Sequence, residues 1–177
     1  MKKYFALLLV LLGTGCAQKI TAIKDDTDNK TSSEAGYLLI SFDTNTELHK
    51  IFIDGPENFM FTQQHLKSGT NYIIAELPQG KYTFENVRLS RYYYFELDDE
   101  SWEFDIIPGK VNYVGNFNFE FGFFGSKILL ENQSSEALRF IEKEYPKLYQ
   151  SSELVYSGPG EDSFFQYAHK VAGEAKL

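Results

Sequence analysis

A mainly β fold, built as an antiparallel β-sandwich with one or two C-terminal helices, is what this sequence predicts, and three observations predict it. About eight short runs alternate apolar and polar residues at period two. Gly and Pro punctuate them at turn spacing. Twelve Tyr and sixteen Phe against one Trp and two Met suit a pleated surface. The chain has 177 residues, 43% hydrophobic and 24% charged, which fits one folded domain rather than a disordered polymer or a polytopic membrane protein.

The first strand follows Gly36, where Leu38, Ile40 and Phe42 point one way and Leu39, Ser41 and Asp43 the other. A second spans His49 to Ile53 and closes at Asp54-Gly55-Pro56. Asn71 to Leu77 is the third, and Pro78-Gln79-Gly80 turns it into Lys81 to Leu89. Further strands are expected at Arg91 to Leu97 and at Ser101 to Ile107, with Asp98-Asp99-Glu100 as the loop between them. From Val111 the register is longest: Val111, Tyr113, Gly115, Phe117, Phe119 and Phe121 are expected on one core-facing side. Gly122-Phe123-Phe124-Gly125 then turns into Lys127 to Glu131. This body occupies residues 36–133. Most of these strands are too short for the roughly 9 to 11 residues that a membrane-spanning strand needs.

Residues 134–177 change period. Ser134 and Ser135 are placed to cap a helix with Leu138, Ile141, Tyr145 and Leu148 on one face, ending or bending before Pro146. Gly158-Pro159-Gly160 breaks the chain, and Asp162 opens a second helix carrying Phe164, Phe165, Ala168, Val171 and Ala172. Both helices are expected to pack on the sandwich.

At the other end, Lys2 and Lys3 precede the apolar run Phe5 to Leu12, which is followed by Gly13-Thr14-Gly15 and the lone Cys16. A run this short falls well below the about 20 helical residues that cross a bilayer, so residues 1–15 are expected to be a signal peptide. Small residues directly before a single cysteine resemble the lipobox of bacterial lipoproteins. The resemblance implies acylation of Cys16, attachment to a membrane through the N-terminal lipid, and a cell-envelope location. Ala17 in place of Asp implies the outer membrane, facing the periplasm or the surface, if the host is Gram-negative. No second cysteine is available for a disulfide. Residues 16–35 carry the lipidated cysteine and a polar stretch without periodicity, expected to be a flexible tether reaching on the order of 25 Å.

Removing residues 1–15 takes away two lysines and no acids, so the net charge falls from −8 to −10. Such a surface repels phosphate backbones, and nucleic acid is not an expected partner.

Three stretches carry a further resemblance: Ile51-Phe52-Ile53-Asp54-Gly55, Ala75 to Phe84 with its Leu77-Pro78-Gln79-Gly80-Lys81-Tyr82 turn, and Phe104 to Gly115 with Pro108-Gly109-Lys110. They are similar to the PEGA-type and carboxypeptidase-regulatory-type β-sandwiches of bacterial surface lipoproteins. The resemblance implies an Ig- or prealbumin-like body and a non-catalytic attachment or accessory role, since its motifs are turns rather than active groups.

The search for chemistry returns little. His49, His65 and His169 are scattered without ligand spacing, and no metal site or cofactor is expected. Neither a Gly-x-Ser-x-Gly elbow nor a phosphate loop occurs, so no catalytic residue is named. The best candidate for binding is the aromatic run Tyr92-Tyr93-Tyr94-Phe95 with Trp102, from which Tyr92, Tyr94 and Trp102 are singled out. Exposed aromatics stack on sugars or on apolar partners, so envelope glycans or proteins are the expected ligands. The expected function is a non-enzymatic binding or accessory module of the envelope. Two alternatives stand beside it: an envelope hydrolase combining the acids Asp98 to Asp105 with a histidine, and a structural component of a surface assembly docking through the 162–172 helix.

Overall fold

The computed structural model describes residues 17–26 and 33–174; the leader, Cys16 and the 27–32 part of the expected tether lie outside the described residues. Strands take 46% of the described residues and helices 20%, which makes the fold mainly β with a few short C-terminal helices. The strands are β1 (Gln18–Lys19), β2 (Ala35–Thr44), β3 (Lys50–Asp54), β4 (Phe59–Thr62), β5 (Gly69–Pro78), β6 (Gly80–Arg88), β7 (Tyr94–Glu96), β8 (Glu103–Ile106), β9 (Val111–Gly122), β10 (Gly125–Glu131) and β11 (Leu154–Tyr156). The helices are α1 (Ser134–Glu144), α2 (Pro146–Ser151) and α3 (Phe164–Glu174).

One sheet runs β1-β4-β3-β6-β7, with β8 also on β6; the other runs β10-β9-β2-β5, with β11 on β9. Both are mixed, which corrects the antiparallel expectation. β1 lies parallel to β4, and β9 is parallel to both β2 and β11. Short turns in a sequence reveal hairpins, but a parallel pair is joined by a long crossover and leaves no local signal.

The two sheets share one core, filled by Leu38, Ile40 and Phe42 from one side and Ile51, Phe61, Phe84 and Phe104 from the other. Rings close the gap between them: Phe42 meets Phe61 at 4.7 Å and Phe84 meets Phe117 at 5.4 Å. A second core lies behind β2 and β9, where Tyr37, Leu39, Val111 and Tyr113 pack against Ala137, Ile141, Leu148 and Phe165 of the helical layer. β2 is therefore covered on both faces, and its near-continuous apolar run fits that position.

The long β9 does not keep one aromatic face, contrary to expectation. Val111 and Tyr113 point to the helices, whereas Val114, Phe117 and Phe119 point to the other sheet. The pairing with β2 slips by one residue between Leu39 and Ser41, a β-bulge that inverts the side-chain alternation. Gly115 sits there with φ +124°, and a Cβ would lie 3.0 Å from Leu130 Cδ1, so the position needs glycine.

The segment expected to be a free tether is bound to the body over residues 17–26. β1 adds to the edge of β4, Ile20 is buried, and the Ile23 amide donates to Ile74 O (2.7 Å) on the edge strand β5. Tyr145 hydroxyl donates to Ile23 O (2.8 Å), and Asp26 accepts from the amides of Lys147 (2.8 Å) and Leu148 (3.1 Å) at the start of α2. Ten residues thus touch both sheets and the helical layer.

α1 ends before Pro146 as its sequence requires, and Pro146 takes the first position of α2, where its missing amide hydrogen costs nothing. Ser134 and Ser135 do not cap α1; Gln133 holds the cap position without a side-chain bond. The Ser134 hydroxyl instead lies 2.6 Å from Asp162 Oδ2, while Asp162 Oδ1 accepts from the Phe164 amide (2.8 Å) and starts α3. Partial burial opposes ionisation of Asp162, but the bonds from Ser134, Asn132 and Phe164 outweigh it and hold its pKa below the usual carboxylate value.

Candidate functional site

Strand register defines two ends of the body. At one, Gln18 pairs with Phe59, Ala35 with Pro78, and the 55–58 turn packs over Gly80. At the other, Thr44 pairs with Gly69 and with Phe119, and Lys50 pairs with Thr62 and with Arg88. A ten-residue strand such as β2 separates these ends by roughly 33 Å. Residue 17 belongs to the first end and the exposed aromatics to the second.

Tyr92, Tyr93 and Tyr94 are 81%, 75% and 55% exposed, so all three leave the core at that second end. The expected strand from Arg91 is cut back to β7, because residues 89–93 form a turn. In it the Leu89 amide donates to Tyr93 O (3.0 Å), and Ser90 Oγ accepts from the amides of Tyr92 and Tyr93, each at 3.2 Å. Trp102 does not join them. A single helical turn at Glu100–Trp102, capped by Asp99, replaces the expected strand start and carries the indole inward, 5.9 Å from Phe117. It is a core residue, 9% exposed, and leaves the candidate site.

Two residues that sequence reasoning missed take its place. On β3, Phe52 alternates with the buried Ile51 and Ile53 and therefore faces outward; on β6, Arg88 follows the buried Val87 and does the same. The Arg88 guanidinium lies 4.8 Å from the Phe52 ring centroid and 5.8 Å from that of Tyr94. Its Nε donates to Asn86 Oδ1 (3.3 Å), and Lys50 Nζ stands 5.9 Å from the Phe52 ring. The signal was present in the period-two pattern, since a Phe out of phase with two Ile residues has to emerge.

The outer face of this sheet is divided. Lys50, Phe52, Arg88 and Tyr94 occupy the half toward the second end, with the exposed Glu96 two residues from Tyr94 on the same face, opposite Asn86. Glu103 and Asp105 pair with Thr83 and Lys81 in the other half, where Lys81 Nζ meets Glu103 Oε2 at 2.7 Å. The His49 amide bonds Arg88 O, five strand positions from Thr83, or roughly 16 Å along β6. The backbone of that histidine therefore stands well apart from the acids of β8 along the strand direction. The His65 ring nitrogen Nδ1 accepts from the Thr62 amide (3.4 Å), and burial, then the nearby Lys19, lowers its pKa. His169 stacks on Tyr149 at 6.0 Å. Among the described residues no group of three or more His, Cys, Asp or Glu side chains is placed to hold a metal ion.

Two other features lie outside this face. Phe123 and Phe124, read from sequence only as a turn, stand fully exposed on the β9–β10 hairpin with their rings 5.3 Å apart. An open depression of about 680 Å³ lies between α2, β11 and α3, lined by Tyr149, Leu154, Gln166 and His169. Comparison with family models, with curated proteins and with solved structures found no match for this chain.

Proposed function

We propose that the protein is a lipid-anchored, non-enzymatic binding or accessory module of the bacterial cell envelope, its body an Ig- or prealbumin-like sandwich held to the membrane through Cys16. The leader and the single cysteine support the anchor. One observation carries the binding role: three consecutive exposed tyrosines lie at the end of the body remote from residue 17, in the 89–93 turn and at the start of β7, beside Arg88, which is held against two rings. Large exposed aromatics have little to gain from water and much from stacking on a ligand. In this role the anchored end stays at the bilayer, and the tyrosine end faces envelope glycans or proteins.

Two measurements test it in intact cells. Metabolic labelling with a palmitate analogue should mark the native chain and not Cys16→Ser. A photo-crosslinking amino acid at Tyr92 or Tyr94 should capture an envelope component that the same group at Glu103 does not. An unlabelled chain sinks the anchor, and equal capture from both positions sinks the binding face.

A second reading, a structural component of a surface assembly, is favoured by α3, on which Tyr167 and Val171 remain 67% and 44% exposed. Co-purification of the Tyr167→Ala variant distinguishes it, because that change leaves the tyrosine face intact.

A further inference from the structure

Lys50 and Arg88 are directly opposite one another on β3 and β6, both on the outer face. Like charges in that position repel, and in a chain with 25 acidic against 17 basic residues an acidic neighbour would have been easy to place. Among the described residues neither cation has a carboxylate within salt-bridge distance, although Lys81, Lys110, Arg139 and Lys143 each do. Arg88 is also positioned in advance, flanked by Phe52 and Tyr94 with its Nε on Asn86. An arginine fixed in this way keeps its outer N–H groups for an acceptor and loses little freedom when it binds one.

From this juxtaposition we propose that Lys50 and Arg88 bind the acidic groups of a glycan, whose sugar rings lie against Tyr94 and Tyr92. The proposal deepens the binding-module reading above and rests on it. An anion between the two cations removes their repulsion and gains charge-assisted hydrogen bonds. The shape of the face selects a linear polymer. The row Lys50, Arg88, Tyr94 crosses three strands, about 10 Å at the usual strand spacing, so a chain running along it passes beside one acid of this face, Glu96, and stays clear of Glu103 and Asp105. A planar anionic membrane would press on those acids as well.

The test uses the full-length protein in detergent micelles. Polygalacturonate is the acidic probe, dextran the neutral one, and phosphatidylglycerol vesicles the lipid one, with inorganic phosphate as competitor. Polygalacturonate should bind, weaken with salt and be displaced by phosphate, whereas dextran should not bind. Arg88→Ala and Lys50→Ala should each weaken binding roughly tenfold, and Arg88→Lys should restore only part of it because an ammonium lacks the planar fork. Without ligand and at low salt, Lys50→Gln should raise the melting temperature by about 2 °C as the repulsion disappears. Unchanged affinity in Arg88→Ala, equal binding of dextran, tighter binding to the vesicles, or no gain in melting temperature would each overturn the proposal. If polygalacturonate fails while crosslinking at Tyr92 still captures a partner, the glycan is wrong and the binding face survives; if both fail, the reading itself falls.

Discussion

The two sheets have outer faces of opposite fate. Behind β2 and β9, Tyr37, Leu39, Val111 and Tyr113 present an apolar surface, and the three helices cover it. On the other sheet, Lys50, Phe52, Arg88 and Tyr94 mix charge with aromatic rings; the first three are half-buried, largely against one another, Tyr94 is exposed, and no helix lies over them among the described residues. Composition decides the difference. A face made mostly of aliphatic and aromatic surface gains free energy by leaving water, and the helical layer that begins at Ser134 hides it, while the Tyr113 hydroxyl still accepts from the Gln133 amide (3.3 Å). Cations beside rings remain stable in water and available to a ligand.

The contrast can be broken most severely on the covered side. Ile141→Ala removes a fully buried side chain from the helical layer and should cost about 2–5 kcal/mol, read as a lower urea midpoint. Gly115→Val attacks the switch that gives β9 two partners, through its positive φ and the contact with Leu130. A loss of about 2–4 kcal/mol is expected, together with altered near-ultraviolet signals from the aromatics on both sides. Asp26→Ala deprives α2 of a cap supplied from the N-terminal segment and should cost about 1 kcal/mol.

Alkaline pH should produce a shallower decline. Burial, then the nearby Glu57, raises the pKa of Tyr82 from its ordinary 10.0 to about 12, and burial pushes Tyr113 up as well. The folded state thus favours the neutral phenol, so its stabilising effect is complete below pH 10 and fades as pH climbs toward about 12. A series of urea midpoints across that window should fall, and Tyr82→Phe should flatten part of the slope. The smallest effect belongs to the open face: Tyr94→Ala should change stability by under about 0.5 kcal/mol while weakening ligand capture. A large stability loss there would show that the open face supports the fold after all.

Much of this architecture can be read from alternation alone. Period two marks β2, β3, β5 and β6 with small shifts at their ends, and Pro146 marks the boundary between α1 and α2. Pairing is a different matter, because β2 meets β9 from more than seventy positions away and no local pattern encodes which distant strand will arrive, or in which direction. The phase change within β9 had one visible sign, a glycine inside a strand, which often marks a bulge. For the candidate site, adjacency in sequence located Tyr92 and Tyr94 but misled on Trp102, since a single turn of helix redirected the indole. Phe52 and Arg88 lie 36 positions apart, and only the register of β3 against β6 brings them together.

The N-terminal segment has a mechanical consequence. Residue 17 leads within a few positions to the edge of β4, then to the edge of β5, then to the helices, so a pull on the amino terminus loads the three layers in series. If Cys16 is moored in a bilayer, the body cannot drift from it as a kite on a line; it stands on a short post, with its orientation inherited from the membrane plane.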